Sequence, residues 1–160
     1  SAMAEVSKAN LYHHYASMDE ILIASFNRLM AGMQMMNPPD GMGLADWLEG
    51  LGAELIAMPP VQRDATRAYI SYFTRALADE KLGGAVRSAV DAGHMQLCRI
   101  IARWMPTGMP EQDINELARL ILVAGDGFLL HAQLLGERAA ELLPAWALFV
   151  RSVTEMRRAA

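Results

Sequence analysis

A single cysteine, Cys98, stands in 160 residues, and that scarcity excludes two common ways of holding a small domain together. One thiol cannot close an intrachain disulfide, and no CxxC zinc spacing can be built from it. Cysteine-poor composition fits a reducing compartment. Within the apolar run HMQLCRII, Cys98 reads as a small core hydrophobe rather than a nucleophile. Positive charge is also short: 14 Lys and Arg against 18 Asp and Glu leave a net charge of -4. A chain that wraps nucleic acid needs the opposite balance, so any DNA contact has to come from a small local surface. The arginine pair in the final MRRAA suits the negative end of a last helical turn. No uninterrupted run of about 18 apolar residues marks a membrane span, and no basic-then-apolar leader opens the sequence. These absences lead to the expectation of a cytoplasmic protein without a membrane partner. No stretch alternates with a period of two for long enough to predict a strand.

Hydrophobic residues are plentiful at 53%, with 20% charged, the balance of an ordered globular chain. Gly and Pro collect at a few places and leave long uninterrupted stretches between them. Ser7 is a good N-cap for a short helix over residues 8–15, with Leu11 and Tyr15 on one face. Ser17 followed by Glu20 is a capping box, opening a helix that carries Leu22, Phe26, Leu29, Met30 and Met33 and ends near Met36. The run Asn37-Pro38-Pro39-Asp40-Gly41 is strong turn chemistry. A third helix, residues 44–58, shows Leu44, Trp47, Leu48, Leu51 and Leu55 as a stripe. Gly50 and Gly52 within it point to close packing or a pliant helix. Residues 61–77 place Val61, Ala65, Tyr69, Tyr72, Phe73 and Ala76 inward, and residues 82–105 place Leu82, Val86, Val90, Leu97, Ile101 and Trp104 inward. A helix over residues 110–135 is apolar nearly all round and is capped by Gly136. Residues 137–143 read as a separate turn before a last helix, residues 143–158. The chain is therefore expected to be all-α. Twelve methionines, with Met30, Met33, Met35 and Met36 in one region, suit either core filling or a malleable apolar pocket.

The string Val6-Ser7-Lys8-Ala9-Asn10-Leu11-Tyr12-His13-His14-Tyr15-Ala16-Ser17 is a capped short helix, a one-residue link and a capped long helix. Residues 5–21 resemble the end of the helix-turn-helix in the tetracycline-repressor family, whose pattern runs roughly Gly-Val-Ser-x-x-x-Leu-Tyr-x-His-Phe-x-Ser-Lys-x-x-Leu. Asp126-Gly127-Phe128-Leu129-Leu130 is similar to a second family segment in the penultimate helix. Glu5 replaces the family's usual turn glycine, and Met18 a common phosphate-binding lysine.

The resemblance implies a helical bundle in which residues 1–17 close a helix-turn-helix whose first helices are missing, while residues 18–160 form an effector-binding and dimerisation domain. It implies that Ser7 caps the recognition helix and that Lys8, Ala9 and Asn10 meet base edges of double-stranded operator DNA. Tyr12, His13 and His14 would touch phosphates and neighbouring bases.

For a small-molecule effector, the candidates are aromatics and isolated polar groups on apolar helices: Trp47, Tyr69, Tyr72, Phe73, His94, Trp104 and Asp126. His94 and Asp126 are open to purely structural roles as well, since buried polar groups are usually bonded internally. The resemblance implies a two-fold homodimer through the last two helices, with Phe128, His131, Leu135, Trp146, Phe149, Val150 and Val153 as interface candidates. An internal core role for those residues stays open. No catalytic spacing, metal set or cofactor motif is apparent, and adjacent His13 and His14 point in different directions on a helix. The expected function is a ligand-responsive transcriptional regulator; the alternative is a helical ligand-binding or dimerisation module without DNA-binding activity.

Overall fold

The computed structural model describes residues 17–32, 37–58 and 60–159, and every regular element among them is helical. In chain order these are α1 (Met18–Gly32), α2 (Leu44–Ile56), α3 (Pro60–Ala76), α4 (Glu80–Ile101), α5 (Glu111–Leu135) and α6 (Leu143–Ala159). Short 3-10 turns follow α4 (Ala102–Trp104) and α5 (Gly136–Leu142). The chain is all-α. Residues 5–16, with the expected recognition helix, lie outside the described residues, as do Met33, Met35 and Met36.

Residues 18–160, expected as one body, divide into two compact units. The smaller takes Ser1–Gln34 with Tyr69–Val90; the larger takes Met35–Ala68 with Asp91–Ala160. In the smaller unit, Ser17 Oγ accepts the backbone N–H of Glu20 at 3.2 Å, so the serine half of the expected capping box is formed. Asp79 does the same for α4, its Oδ1 accepting the Leu82 N–H at 3.0 Å. This cap starts the helix at Glu80, two residues earlier than the apolar spacing suggests. The core of this unit is Phe26, Leu82 and Val86, with Tyr72 set edge-on to Phe26 at 5.3 Å between ring centres. Phe73 packs against the same cluster and stacks on Tyr69 at 4.5 Å.

The larger unit is built around a close crossing of α2 and α6. The Trp146 indole lies directly on Gly52, where an added Cβ would collide with the ring at Nε1. Its N–H donates to the Leu48 carbonyl at 2.8 Å, the partner that a buried indole requires. Trp146 is only 2% exposed. Phe128 meets it edge-on at 5.0 Å, and Phe149 packs at 5.2 Å. Leu44, Trp47 and Leu48 of α2, Leu97, Ile100 and Ile101 of α4, Ala118 and Ile121 of α5, and Val150 and Val153 of α6 complete this core.

Of the expected stripe on α2, Leu44, Trp47 and Leu48 are buried, and Leu51 and Leu55 are half-buried against the same core. On α3 the facing shifts: Ala65 is exposed, while Thr66 is buried and gives its hydroxyl to the Met58 sulfur. α4 ends at Ile101, short of Met105, because residues 102–104 tighten into a 3-10 turn. Gly136 follows α5 with φ +60, a conformation that L side chains resist.

Two glycines two residues apart give a controlled comparison. Gly52 is against the indole, whereas a Cβ at Gly50 meets nothing within 4 Å. Urea unfolding should show Gly52→Ala destabilising the protein by about 1–3 kcal/mol through overpacking. Gly50→Ala should stabilise it by about 0.5–1 kcal/mol through lost backbone entropy in the unfolded chain.

Candidate functional site

Three features of the larger unit carry chemistry. The first is an open cleft of about 780 Å³ at the turn before α2, bordered by Pro38, Asp40, Met42, Arg103, Trp104 and Thr154 among others. The turn bends at Gly41, whose φ is +82, and closes with the Met42 N–H on the Pro39 carbonyl. Trp104 holds it from the other side: its indole N–H donates to the Met42 carbonyl at 2.8 Å. Its ring packs on Trp47 at 5.5 Å. Arg103 reaches the Pro38 carbonyl with a long bond of 3.5 Å.

The second feature joins α4 to α5. His94 Nε2 lies 3.0 Å from the Asn115 backbone oxygen, and a carbonyl only accepts, so this nitrogen carries the proton. The same nitrogen is 3.6 Å from Cys98 Sγ, and the thiol donates to Asn115 Oδ1 at 3.4 Å. A protonated Nε2 cannot take the thiol proton. Burial pushes the Cys98 thiol up from its ordinary range, a backbone hydrogen bond partly opposes it, and the Glu111 charge adds a smaller upward push against Arg119. The cluster combines a cysteine, a histidine and an asparagine without activating the sulfur. Cys98 is half-buried and packs against the core of the larger unit, as its apolar neighbours suggest, while its thiol also meets polar partners.

The third feature is an apolar face on α5 and α6. Leu120, Val123, Leu130 and Leu134 fall within about 80° of arc on one helix, at 3.6 residues per turn. Val123 is 65% and Leu134 74% exposed, and Leu143 and Leu148 of α6 are exposed as well. By length and composition the Glu111–Glu155 stretch contains an 18-residue window apolar enough to cross a membrane, 28% of it buried in the chain.

Within the larger unit, the sequence-derived effector residues Trp47, Trp104, His94 and Asp126 do not gather at one site. Trp104 borders the cleft, and Trp47 backs it from the core. His94 is engaged with Asn115 and Cys98. Asp126 stands eleven residues beyond Asn115 on α5, about 16 Å along the helix axis. Tyr69, Tyr72 and Phe73 belong to the smaller unit, where Tyr72 and Phe73 are packing groups around Phe26.

The interface candidates need a correction too. Trp146, Val150 and Val153 are spent inside the larger unit and offer no surface. Phe128 and Phe149 are half-buried against Trp146, and Leu135 is half-buried. His131 is exposed, with Nδ1–H donating to the Gly127 carbonyl at 2.8 Å. It stands beside that arc, about 20° beyond Leu120 on the helical wheel. Arg103 and Asp40, both bordering the cleft, were not singled out from the sequence, since charges beside turns look like ordinary solvated groups. The His94–Cys98 spacing of four was a signal that could have been read.

Compared with protein-family models, curated proteins and solved structures, the chain finds no match.

The raised thiol pKa predicts the pH dependence of Cys98 alkylation. The rate of reaction with iodoacetamide should rise with a midpoint above that of a free cysteine in a peptide, because only the thiolate attacks. A midpoint at or below the peptide's would contradict the burial of the thiol that raises it.

Proposed function

We propose that this chain is the body of a dimeric, ligand-responsive transcriptional regulator of the tetracycline-repressor type, a repressor released from operator DNA by a small hydrophobic or aromatic effector. The observation that carries the reading is the junction at Ser17. The recognition-helix string in residues 5–16 runs straight into α1, whose first turn Ser17 caps. A rigid 15-residue helix attached to the DNA-reading segment is a lever. An effector that prefers one lever position over another by several kcal/mol switches occupancy; one with equal affinity for both shifts nothing.

The exposed apolar face of α5 supports the same reading. The exposed stripe of Leu120, Val123, Leu130 and Leu134 is large for a monomer's surface. A second copy is a better cover than a bilayer, because Glu116, Arg119 and Asp126 stand on the same helix and lipid would penalise each. Two-fold pairing presents two recognition segments to a palindrome.

The net charge of -4 favours one rival, a helical dimerisation or ligand-binding module with no DNA role. Protein expressed from its whole reading frame, offered a random duplex library, separates the two. Enrichment of a palindrome supports the regulator; a dimer that enriches no sequence supports the rival. In native mass spectrometry the protein should be dimeric, and Val123→Glu with Leu134→Glu should yield folded monomers. Retention of the dimer by that double variant would remove the α5 face from the account.

A further inference from the structure

The cleft before α2 presents one charge of each sign over a fixed aromatic ring. Asp40 and Arg103 both border it, and among the described residues neither has an ion-pair partner. Arg103 spends one N–H on a loop carbonyl at the limit of bonding distance, leaving most of its planar fork unengaged. Trp104 cannot swing freely, since its indole N–H is tied to Met42 and its ring is backed by Trp47. A wall held in place before a ligand arrives loses little entropy when one binds. The volume of about 780 Å³ lies in the ordinary range for small-molecule sites.

We propose that this cleft binds a small zwitterion with a flat apolar body, of the aromatic amino-acid class. Arg103 takes the carboxylate through its bidentate fork, Asp40 takes the ammonium, and the body lies against Trp104 and Met42. A carboxylate alone leaves Asp40 facing a like charge, and an amine alone does the same at Arg103. The site shares only Trp104 with the effector residues considered above, and its occupancy does not depend on DNA recognition.

The test is calorimetric titration of the whole chain with L-phenylalanine, 3-phenylpropionate and phenethylamine, the last two lacking one charge each. L-Phenylalanine should bind saturably, and each single-charge analogue about tenfold more weakly or worse, a difference of about 1.4 kcal/mol. Arg103→Met should weaken L-phenylalanine about tenfold without weakening phenethylamine. Asp40→Asn should weaken L-phenylalanine without weakening 3-phenylpropionate. Both side chains are exposed, so circular dichroism should show each variant folded. No saturable binding of L-phenylalanine, equal binding of all three compounds, or indifference to both substitutions overturns the proposal. Operator selection by the whole reading frame reports separately on the regulator reading.

Discussion

The Trp146 indole resting on the bare backbone of Gly52 is the constraint from which the larger unit follows. A large ring can lie that close to a helix axis only where a Cβ is missing. The indole N–H must then find an acceptor in a dry site, and the Leu48 carbonyl one turn earlier supplies it. Together the slot and the bond fix the depth and rotation of α6 on α2. Phe128 and Phe149 complete the aromatic packing by placing their rings on the indole.

That rotation decides which surface the chain shows. Positions 146, 150 and 153 recur at helical spacing and all face the core. Leu148, about 140–160° away on the helical wheel, must then face out, and it does. The same logic applies on α5, where Ala118, Ile121, Gly125, Leu129 and Ala132 point inward. Val123, Leu130 and Leu134 are left on the far side. The apolar face is therefore a consequence of internal packing, and its partner is a question about a second surface rather than about loose folding.

Helices and their ends were largely legible in the sequence, because caps and breakers are local. Ser17, the Pro-Pro-Asp-Gly turn and Gly136 act within a few residues of themselves, and the structure uses them where spacing puts them. Facing was legible only where apolar and polar residues contrast. On α2 the stripe was readable; on α5, apolar nearly all round, periodicity has no contrast to report. Several of the interface candidates accordingly came from the inward side of their helix. Tyr72 and Phe73 illustrate a different limit: an aromatic on an amphipathic helix suits a pocket wall and a packing group equally, and here both pack around Phe26. The cleft was unreadable because it is made by distance in sequence. Arg103 stands more than sixty residues from the carbonyl it meets, and that bond together with the Trp104 bond to Met42 joins the two segments.

The polar cluster of His94, Cys98 and Asn115 shows why residue types alone do not give chemistry. Three groups suited to nucleophilic catalysis are adjacent, but the imidazole nitrogen facing the sulfur already donates its proton to a backbone carbonyl. Geometry turns a reactive combination into a helix-to-helix tie.

The contact between Trp146 and Gly52 is open to direct observation by solution NMR. The account predicts cross-peaks from the Trp146 indole N–H to the Gly52 α-protons, with that N–H exchanging slowly with solvent. An indole N–H that exchanges freely and shows no cross-peak to Gly52 would contradict the packing on which the rest is built.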